Sequence, residues 1–402
     1  MNFLDKADKI VVKKKEEIDE WVKSKKLDTN PPFYTSVDLR VSNKKIVAVD
    51  TNIFPAGFNN LSNLFLKRAG EITKEYKKNK HKSKVKKVLI IPELHTRNQF
   101  YWENIISLLK ILELAKIDAK IGLVLPGEGE SVFEFEAKSG KKIIAEKVIR
   151  ENNIIKITDF TPDLILINND FSDLPPKILS DVNQIIVPPT QVGWHSRKKH
   201  IHFKFYNKLV LEFSNLLGIN PSHFLLETKL ISDIDFENKK DREKLGNEVE
   251  SMFQKLDSEY IHNQPFLFIK SNAGTYGMSV MKISSANDII NLNRDGRKKM
   301  RVSKGGNQIK DIIIQEGVET IFTNKEPVYY LIDCEIVGGF YRTNQLKGSA
   351  DNLNTKGMFF ECICEDSMHL NCEKFIRPSL EIIAKLGSLA TGYEIDYLLK
   401  KN

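Results

Sequence analysis

Residues 266–281, FLFIKSNAGTYGMSVM, constrain the fold of this chain more than any other stretch. An apolar run ends in Lys270, a small-residue loop SNAGTYG follows, and a second apolar run begins with MSVMKI. That order reads strand, glycine-rich loop, strand. Glycine lets backbone N–H groups approach a polyphosphate closely, and a strand lysine adds a fixed positive charge. No Gly-Lys-Ser/Thr closes the loop and no helix signal follows at once, so it is not a P-loop. The spacing of Gly274 and Gly277 gives no GxGxxG either, which excludes a Rossmann fingerprint. Taken alone, the loop reads as a tight hairpin with glycine at its turn.

The segments that follow change that reading. Residues 311–320, DIIIQEGVET, form an apolar strand ending in Gln315 and Glu316, with Glu319 three residues on. Such a segment can lay backbone groups along an adenine edge and offer a carboxylate to ribose hydroxyls. Residues 328–343, VYYLIDCEIVGGFYRT, read as two strands around a turn and carry Asp333, Glu335 and Arg342. Residues 351–357 then read DNLNTKG. With these parts in this order, the C-terminal half resembles an ATP-grasp ligase. The DNLNTKG loop is similar to the Asn–Leu loop of glutathione synthetases.

Three further motifs narrow the resemblance: AVDTNIFPAGFNNL at residues 48–61, IPELHTRNQFYWENI beginning at Ile91, and SNAGTYGMSVM. Together they resemble the divergent glutamate–cysteine ligase family of some proteobacteria, over most of residues 45–357. The resemblance implies formation of γ-glutamylcysteine, the first step of glutathione synthesis, with ATP and Mg²⁺. ATP would phosphorylate the γ-carboxylate of glutamate, and the cysteine amine would attack the acylphosphate. Bringing two anions together needs dense positive charge and a metal more than a nucleophilic side chain.

On that resemblance, Lys270 meets the α/β-phosphates. The backbone of Ala273, Gly274, Thr275, Tyr276 and Gly277 covers the β/γ-phosphates. Gln315, Glu316 and Val318 line the adenine, Glu319 lies near the ribose, and Arg342 stabilises the transferring phosphoryl group. Asn52, Phe54, Asn59, Asn60, Glu93, His95 and Arg97 face glutamate and cysteine in a crevice between halves. One part is missing. ATP-grasp enzymes carry a late acidic strand, with Asp or Glu followed by Glu-x-Asn, and none follows Gly357. Either the metal shell is Asp333, Glu335 and Asn352, or residues of the N-terminal half contribute.

The first half supports a covered, largely parallel sheet. Strands are expected over 45–49, 85–91, 119–125, 163–168 and 184–187, with helices over 62–78, 101–115, 140–152 and 175–182. Polar clusters follow several strands: Asp50-Thr51-Asn52, then Glu93, His95 and Arg97, then Asn168-Asn169-Asp170. Ligands of open α/β sheets bind beyond strand carboxyl ends. Asn and Asp also cap helices and make turns, which accounts equally for the 168–170 cluster. Residues 188–204, PPTQVGWHSRKKHIHFK, place Arg197 where it could meet a carboxylate or phosphate, or form an exposed connection. The H-x4-H-x-H spacing there matches no common zinc site.

The expected class is α/β. Residues 1–205 form a largely parallel α/β substrate domain, and residues 206–402 an ATP-grasp-like α+β nucleotide-binding region with a closing helix over 377–401. At 402 residues the chain exceeds one ordinary core. Its net charge of +8 is spread among glutamates, and the densest run, KEYKKNKHKSKVKK at 74–87, lacks interleaved aromatics. That reads as a solvated helix end, so small-molecule partners are expected and nucleic acid is not. Cys334, Cys362, Cys364 and Cys372 give no paired C-x-x-C and read as reduced thiols. No apolar run approaches the ~20 residues of a membrane span, and a cytoplasmic location is expected. Oligomeric state stays open. The same residues would serve another carboxylate–amine ligase, such as a glutathione synthetase, or a non-catalytic nucleotide-binding regulator.

Overall fold

Two strand stretches joined by Ser42-Asn43-Lys44-Lys45 begin the main sheet. The structure, a computed structural model, describes residues 3–94, 98–127, 129–172, 174–258, 265–273, 279–301, 309–363 and 377–401. After helices α1 (Phe3–Lys13) and α2 (Lys15–Asp28), β1 (Tyr34–Val41) and β2 (Ile46–Asn52) pair antiparallel. The sequence reading places no strand over 34–41. The β-branched Thr35, Val37 and Val41 favour one there, and side chains alternate across it. Val37 turns to the helix α9 (Pro378–Lys401), where a Cβ on Gly387 would meet it at 3.0 Å. Asp38, the next residue, faces the other way.

The hairpin pairs with strands from the second half of the chain. It joins β15 (Lys325–Ile332), β16 (Glu335–Thr343) and β17 (Phe359–Cys362) in one antiparallel sheet of order β17-β16-β15-β1-β2. The boundary expected near residue 205 therefore does not divide the sheets. Helix α3 (Asn63–His81) seals the hairpin end of β15 and β16, where Gly338 leaves room for the Phe65 ring.

The expected parallel sheet is present, with order β10-β9-β3-β4-β6-β5. Its strands are β3 (Lys87–Pro92), β4 (Asp118–Leu123), β5 (Val132–Glu136), β6 (Lys142–Lys147), β9 (Leu164–Asn168) and β10 (Ile185–Val187). Only the β5–β6 pair is antiparallel. Helix α4 (Gln99–Leu114) packs against β4 and β5. The helix expected over 140–152 is instead β6 and β7 (Ile149–Glu151), followed by β8 (Ile154–Lys156). Its residues alternate, with Ile143 and Ala145 buried and Ile144 exposed, which is a strand period. Asn152 and Asn153 take positive φ at the β7–β8 turn, where Asn tolerates it best. The helix expected over 175–182 is reduced to one 3-10 turn, Lys177–Leu179.

A second antiparallel sheet has order β11-β14-β12-β13. It comprises β11 (Thr228–Ile231), β12 (Leu267–Ser271), β13 (Val280–Ile283) and β14 (Ile312–Glu316). Helices α6 (Lys239–Ser258), α7 (Asn287–Ile290) and α8 (Arg294–Arg301) cover it around a core of its own, including Leu245, Val249, Leu267, Ile269, Ile312 and Ile314. Helix α5 (Lys199–Leu217) packs on α9 and reaches β11. Among the described residues no helix is long and apolar enough to cross a membrane.

Candidate active site

Strand register assembles one wall of the site. Across the β1–β2 pair Asp38 stands opposite Asp50, and the register shifts immediately after Asp38. Across β15–β16 Glu326 stands opposite Arg342, and β15 in turn flanks β1. These side chains meet on one face. Arg342 Nη1 donates to Asp38 Oδ2 at 2.5 Å and to Glu326 Oε1 at 2.6 Å. The other Glu326 oxygen is paired with Arg40 Nε at 2.8 Å. Arg40 also donates to the carbonyls of Ser349 (3.0 Å) and Asp351 (2.7 Å). That contact holds the DNLNTKG loop against the sheet, with Asn352 and Asn354 at the crevice.

The second antiparallel sheet supplies the facing wall. Lys270 on β12 and Gln315 on β14 are diagonal neighbours, and Lys270 Nζ donates to Gln315 Oε1 at 2.5 Å. Gln315 Nε2 donates in turn to Thr228 Oγ1 at 3.1 Å. Lys199, the first residue of α5, reaches across to Asp50 Oδ1 at 3.1 Å. Two chambers result. The first, about 90 Å³, is lined by Lys270, Lys199, Gln315, Val318, Arg40 and Asn352 among others. The second, about 220 Å³, runs on beside Asn52, Phe54, Asn60, Glu93, Asp170 and Trp194. Asp38, Asp50, Arg342 and Asn354 line both, so the chambers meet at the acid–arginine cluster.

A cationic chamber joined to a polar one through two carboxylates and an arginine suits phosphoryl transfer to a bound carboxylate. The family model described as GshA, glutamate–cysteine ligase, matches residues 8–395. The chain belongs to the glutamate–cysteine ligase family. Among solved structures, a Methylobacillus flagellatus KT protein, provisionally described as a gamma-glutamylcysteine synthetase, is 33% identical. The match covers 97% of this chain and 95% of that one, with a TM-score of 0.86. Distant likenesses include D-cycloserine synthetase DcsG, at 10% identity and a TM-score of 0.42 over 77% of this chain and 82% of that one. Another is GSS30, a glutathione synthetase-like effector of Globodera pallida, at 12% and 0.37 over 89% and 81%. Among curated proteins none matches significantly. The protein is thus an ATP-dependent ligase that joins glutamate to cysteine in glutathione biosynthesis.

Electrostatics at the ligase's crevice follow from burial and neighbours. Burial, with Lys199 nearby, lowers the Lys270 ammonium to about 8. Burial alone would raise Asp50, but Lys199 and Lys270 outweigh it and hold the carboxyl at about 2. Asp38 and Glu326 share Arg342 and titrate differently. Burial raises Asp38 to about 6 against the pull of Arg342. Glu326 is equally desolvated, yet Arg40 and Arg342 together bring it below its ordinary value.

The structure gathers many of the residues named from sequence. Lys270, Gln315, Glu316, Val318, Arg342 and Asn352 line the first chamber, and Asn52, Phe54, Asn60 and Glu93 the second. Asn59 bonds to Asn60 beside it (3.4 Å), and Glu319 is exposed one residue past Val318. The Ala273 carbonyl accepts from the Ser271 hydroxyl. Gly274, Thr275, Tyr276, Gly277, His95 and Arg97 lie outside the described residues.

Glu316 lines the first chamber, while its carboxylate forms a fully buried ion pair with Lys45 and accepts from Glu227 N at 3.1 Å. The expectations for Arg197, Asp333 and Glu335 need correction. Arg197 is not open to a substrate anion. It is 2% exposed and forks onto Glu394 of α9 at 3.0 and 2.8 Å, with Thr51 O at 3.4 Å. Asp333 and Glu335 do not join Asn352. They sit at the tip of the β15–β16 hairpin, paired with Lys26 (2.8 Å) and Lys385 (2.9 Å). Arg342 lies seven residues beyond Glu335 on the same strand, roughly 23 Å away at ~3.3 Å per residue.

The sequence reading passed over Asp38, Arg40, Lys199 and Glu326, and treated Asp50 only as part of a strand-end cluster. The signal for the acids was present: an aspartate on one strand, then Asp50-Thr51-Asn52, an acid-x-Asn run, on the next. The chamber's acidic strand pair comes from the start of the chain, not from after Gly357.

Proposed function

We propose that the first chamber holds Mg-ATP and that the glutamate γ-carboxylate enters from the second, so phosphoryl transfer occurs where Arg342 stands. The observation that supports this reading most is the meeting of both chambers at Asp38, Asp50 and Arg342. Lys270 and Lys199 neutralise the phosphates, Gln315 and Val318 bound the adenine end, and Asn352 and Asn354 close over the site. Arg342 meets the charge that builds on the transferring phosphoryl group, in a largely desolvated setting where such a contact is strong. The cysteine amine then attacks the activated carbonyl and phosphate departs.

Asp38 and Asp50 are the residues to hold Mg²⁺. Among the described residues no group of three or more His, Cys, Asp or Glu forms a metal cage. Mg²⁺ needs none, because it binds through one or two carboxylates together with substrate phosphates and water. When bound, the metal neutralises phosphate charge and aligns the γ-phosphate. The all-oxygen donors of Asp38 and Asp50, opposite each other at the chamber junction, fit that preference.

The test is ADP release by purified protein with Mg-ATP, glutamate and cysteine, each omitted in turn, with the product identified by mass. Turnover requiring both amino acids and yielding γ-glutamylcysteine is expected. An Asp38→Asn variant with an unchanged Mg²⁺ requirement would remove the metal assignment.

A further inference from the structure

Helix α5 begins at the crevice without a cap of its own. Its N-cap position is Lys198, which is extended (φ −131°, ψ 125°) and makes no side-chain cap. A lysine side chain carries donors only, and the first N–H groups of a helix need acceptors from elsewhere. Ile201 N and His202 N turn back to Lys198 O, at 3.0 and 3.2 Å. Lys199 N and His200 N both go to one residue of the facing wall. Asn272 takes the first on its carbonyl (2.8 Å) and the second on Oδ1 (3.1 Å). His200 Nδ1 lies 3.0 Å from the same Oδ1. The asparagine of the SNAGTYG run thus caps a helix whose second residue lies 72 positions before it. Asn272 is 1% exposed and directly follows β12, two residues after Lys270. Its own N–H donates to Asp311 O at 3.0 Å, at the entry to β14. The start of α5 is therefore held from two sides. Arg197 ties it to Glu394 and to Thr51 O, and Asn272 ties it to β12. Between these ties stands Lys199, with Nζ 3.1 Å from Asp50 Oδ1 and 5.0 Å from the Trp194 ring centre.

We propose that Asn272 is a positioning residue for the ligation: its cap on α5 sets Lys199 against Asp50, in the chamber that Lys199 shares with Lys270. The inference rests on the reading above that this chamber holds Mg-ATP. A lysine ammonium rides on a flexible four-carbon stem, so its place depends on where the backbone beneath it is fixed. Here the fixing bonds run to the main chain of Lys199 itself and of the next residue. Loss of the cap frees the first turn of α5 from β12, and the two lysines no longer share one frame. A shift of about 1 Å in a charged group of this kind costs up to about 100-fold in rate. Asn272 acts through Lys199 and not on the reacting atoms.

A double-mutant cycle separates positioning from general support of the fold. The kcat for ADP release at saturating Mg-ATP, glutamate and cysteine is measured for wild type, Asn272→Ala, Lys199→Met and the double variant, with a melting curve for each. N272A is expected to lose roughly tenfold or more in kcat, because a charged group is misplaced. K199M should lose at least as much. In the double variant, N272A should add less than about threefold to the loss from K199M, since both act on the same contact. Asn272→Asp keeps an acceptor for the helix N–H groups and should restore kcat to within about threefold of wild type. Should N272A fail to fold, Asn272→Ser, whose hydroxyl is one atom shorter than the amide, takes its place in the cycle. Losses that multiply in the double variant, or an N272D as slow as N272A, would overturn the proposal. K199M with wild-type kcat and ATP KM would remove Lys199 from the phosphates and so overturn the reading beneath it as well, a result distinguishable from the first.

Discussion

Asp38 and Asp50 stand opposite each other on adjacent antiparallel strands, and Arg342, 304 positions after Asp38, donates to Asp38 at 2.5 Å. The two carboxylates differ sharply in basicity, at about 6 and about 2. Lysines surround Asp50, whereas Asp38 shares a single arginine with Glu326. On the proposed assignment, Asp38 would have to lose its proton at mildly acid pH to help hold Mg²⁺.

That difference sets the pH dependence of metal use. A raised carboxyl is ionised only above its pKa, so the proposed Mg²⁺ site would be complete above about pH 6 and lost as pH falls through that value. The Mg²⁺ concentration for half-maximal rate should climb by up to ~tenfold per pH unit below pH 6. In D38N the requirement should be higher at every pH and nearly flat across this range. Titrating Mg²⁺ at pH 5 to 8 tests both. A steep slope retained in D38N would move the titrating group elsewhere.

Arg342 should act on the rate more than on nucleotide affinity. It lies at the junction of the chambers, where the proposed transfer would develop charge, rather than along the lysine wall. Removing a single preorganised donor of this kind costs about 10²–10³ in kcat. R342A is expected to show that loss with an ATP KM changed less than about threefold. It also strips the shared partner from two desolvated acids, so R342K, which keeps the charge, separates catalysis from folding. An equal fall in both parameters would indicate ordinary ground-state binding.

Lys270 sets function against stability. Its pKa is lowered to about 8 by burial and by Lys199. Between about pH 8 and the unfolded value of 10.5 the unfolded chain binds more protons. The destabilisation is therefore fully present below pH 8 and fades as pH rises through the window. K270M should raise the melting temperature by a few degrees at pH 7 and much less near pH 10, while weakening ATP binding at least tenfold. In the wild type, ATP affinity should decline as pH rises above about 8, because the phosphates favour the protonated lysine. Thermal scans and nucleotide titrations of both proteins decide the matter; K270M with wild-type ATP affinity would contradict the phosphate assignment.

Much of the first chamber's lysine wall was legible because sequence order there follows spatial order. Lys270, Gln315 and Val318 occupy neighbouring strands and the turn that leaves them, and Arg342 follows its own hairpin. The wall carrying Asp38 and Asp50 was not legible in that way. Its acids belong to β1 and β2, yet their sheet neighbours β15 and β16 come some three hundred residues later, and strand propensity says nothing about such pairing. The metal shell expected at Asp333 and Glu335 failed on period and reach: a hairpin tip cannot also be the far end of its strand. Arg197 looked like part of an exposed basic loop. It is buried because Glu394, 197 positions on, supplies a matched carboxylate, which local composition cannot reveal.

The Lys45–Glu316 pair should be the most sensitive structural joint near the site. Both side chains are fully buried, one just before β2 and the other at the end of β14, so the pair ties the two crevice walls together. Glu316 Oε2 also accepts from Glu227 N, which anchors the chain entering β11. Removing one member of a buried pair leaves an uncompensated charge and costs about 3–5 kcal/mol, whereas replacing both by apolar groups is often nearly neutral. K45M alone should therefore lower stability severely, and K45M combined with E316L should recover most of it. Denaturant unfolding of the single and double variants gives the coupling directly. Similar losses in the two would mean that the Glu227 contact, rather than the ion pair, fixes Glu316. ATP affinity offers a second readout: the recovered double variant should still bind nucleotide if Glu316 supports the adenine wall only through its backbone.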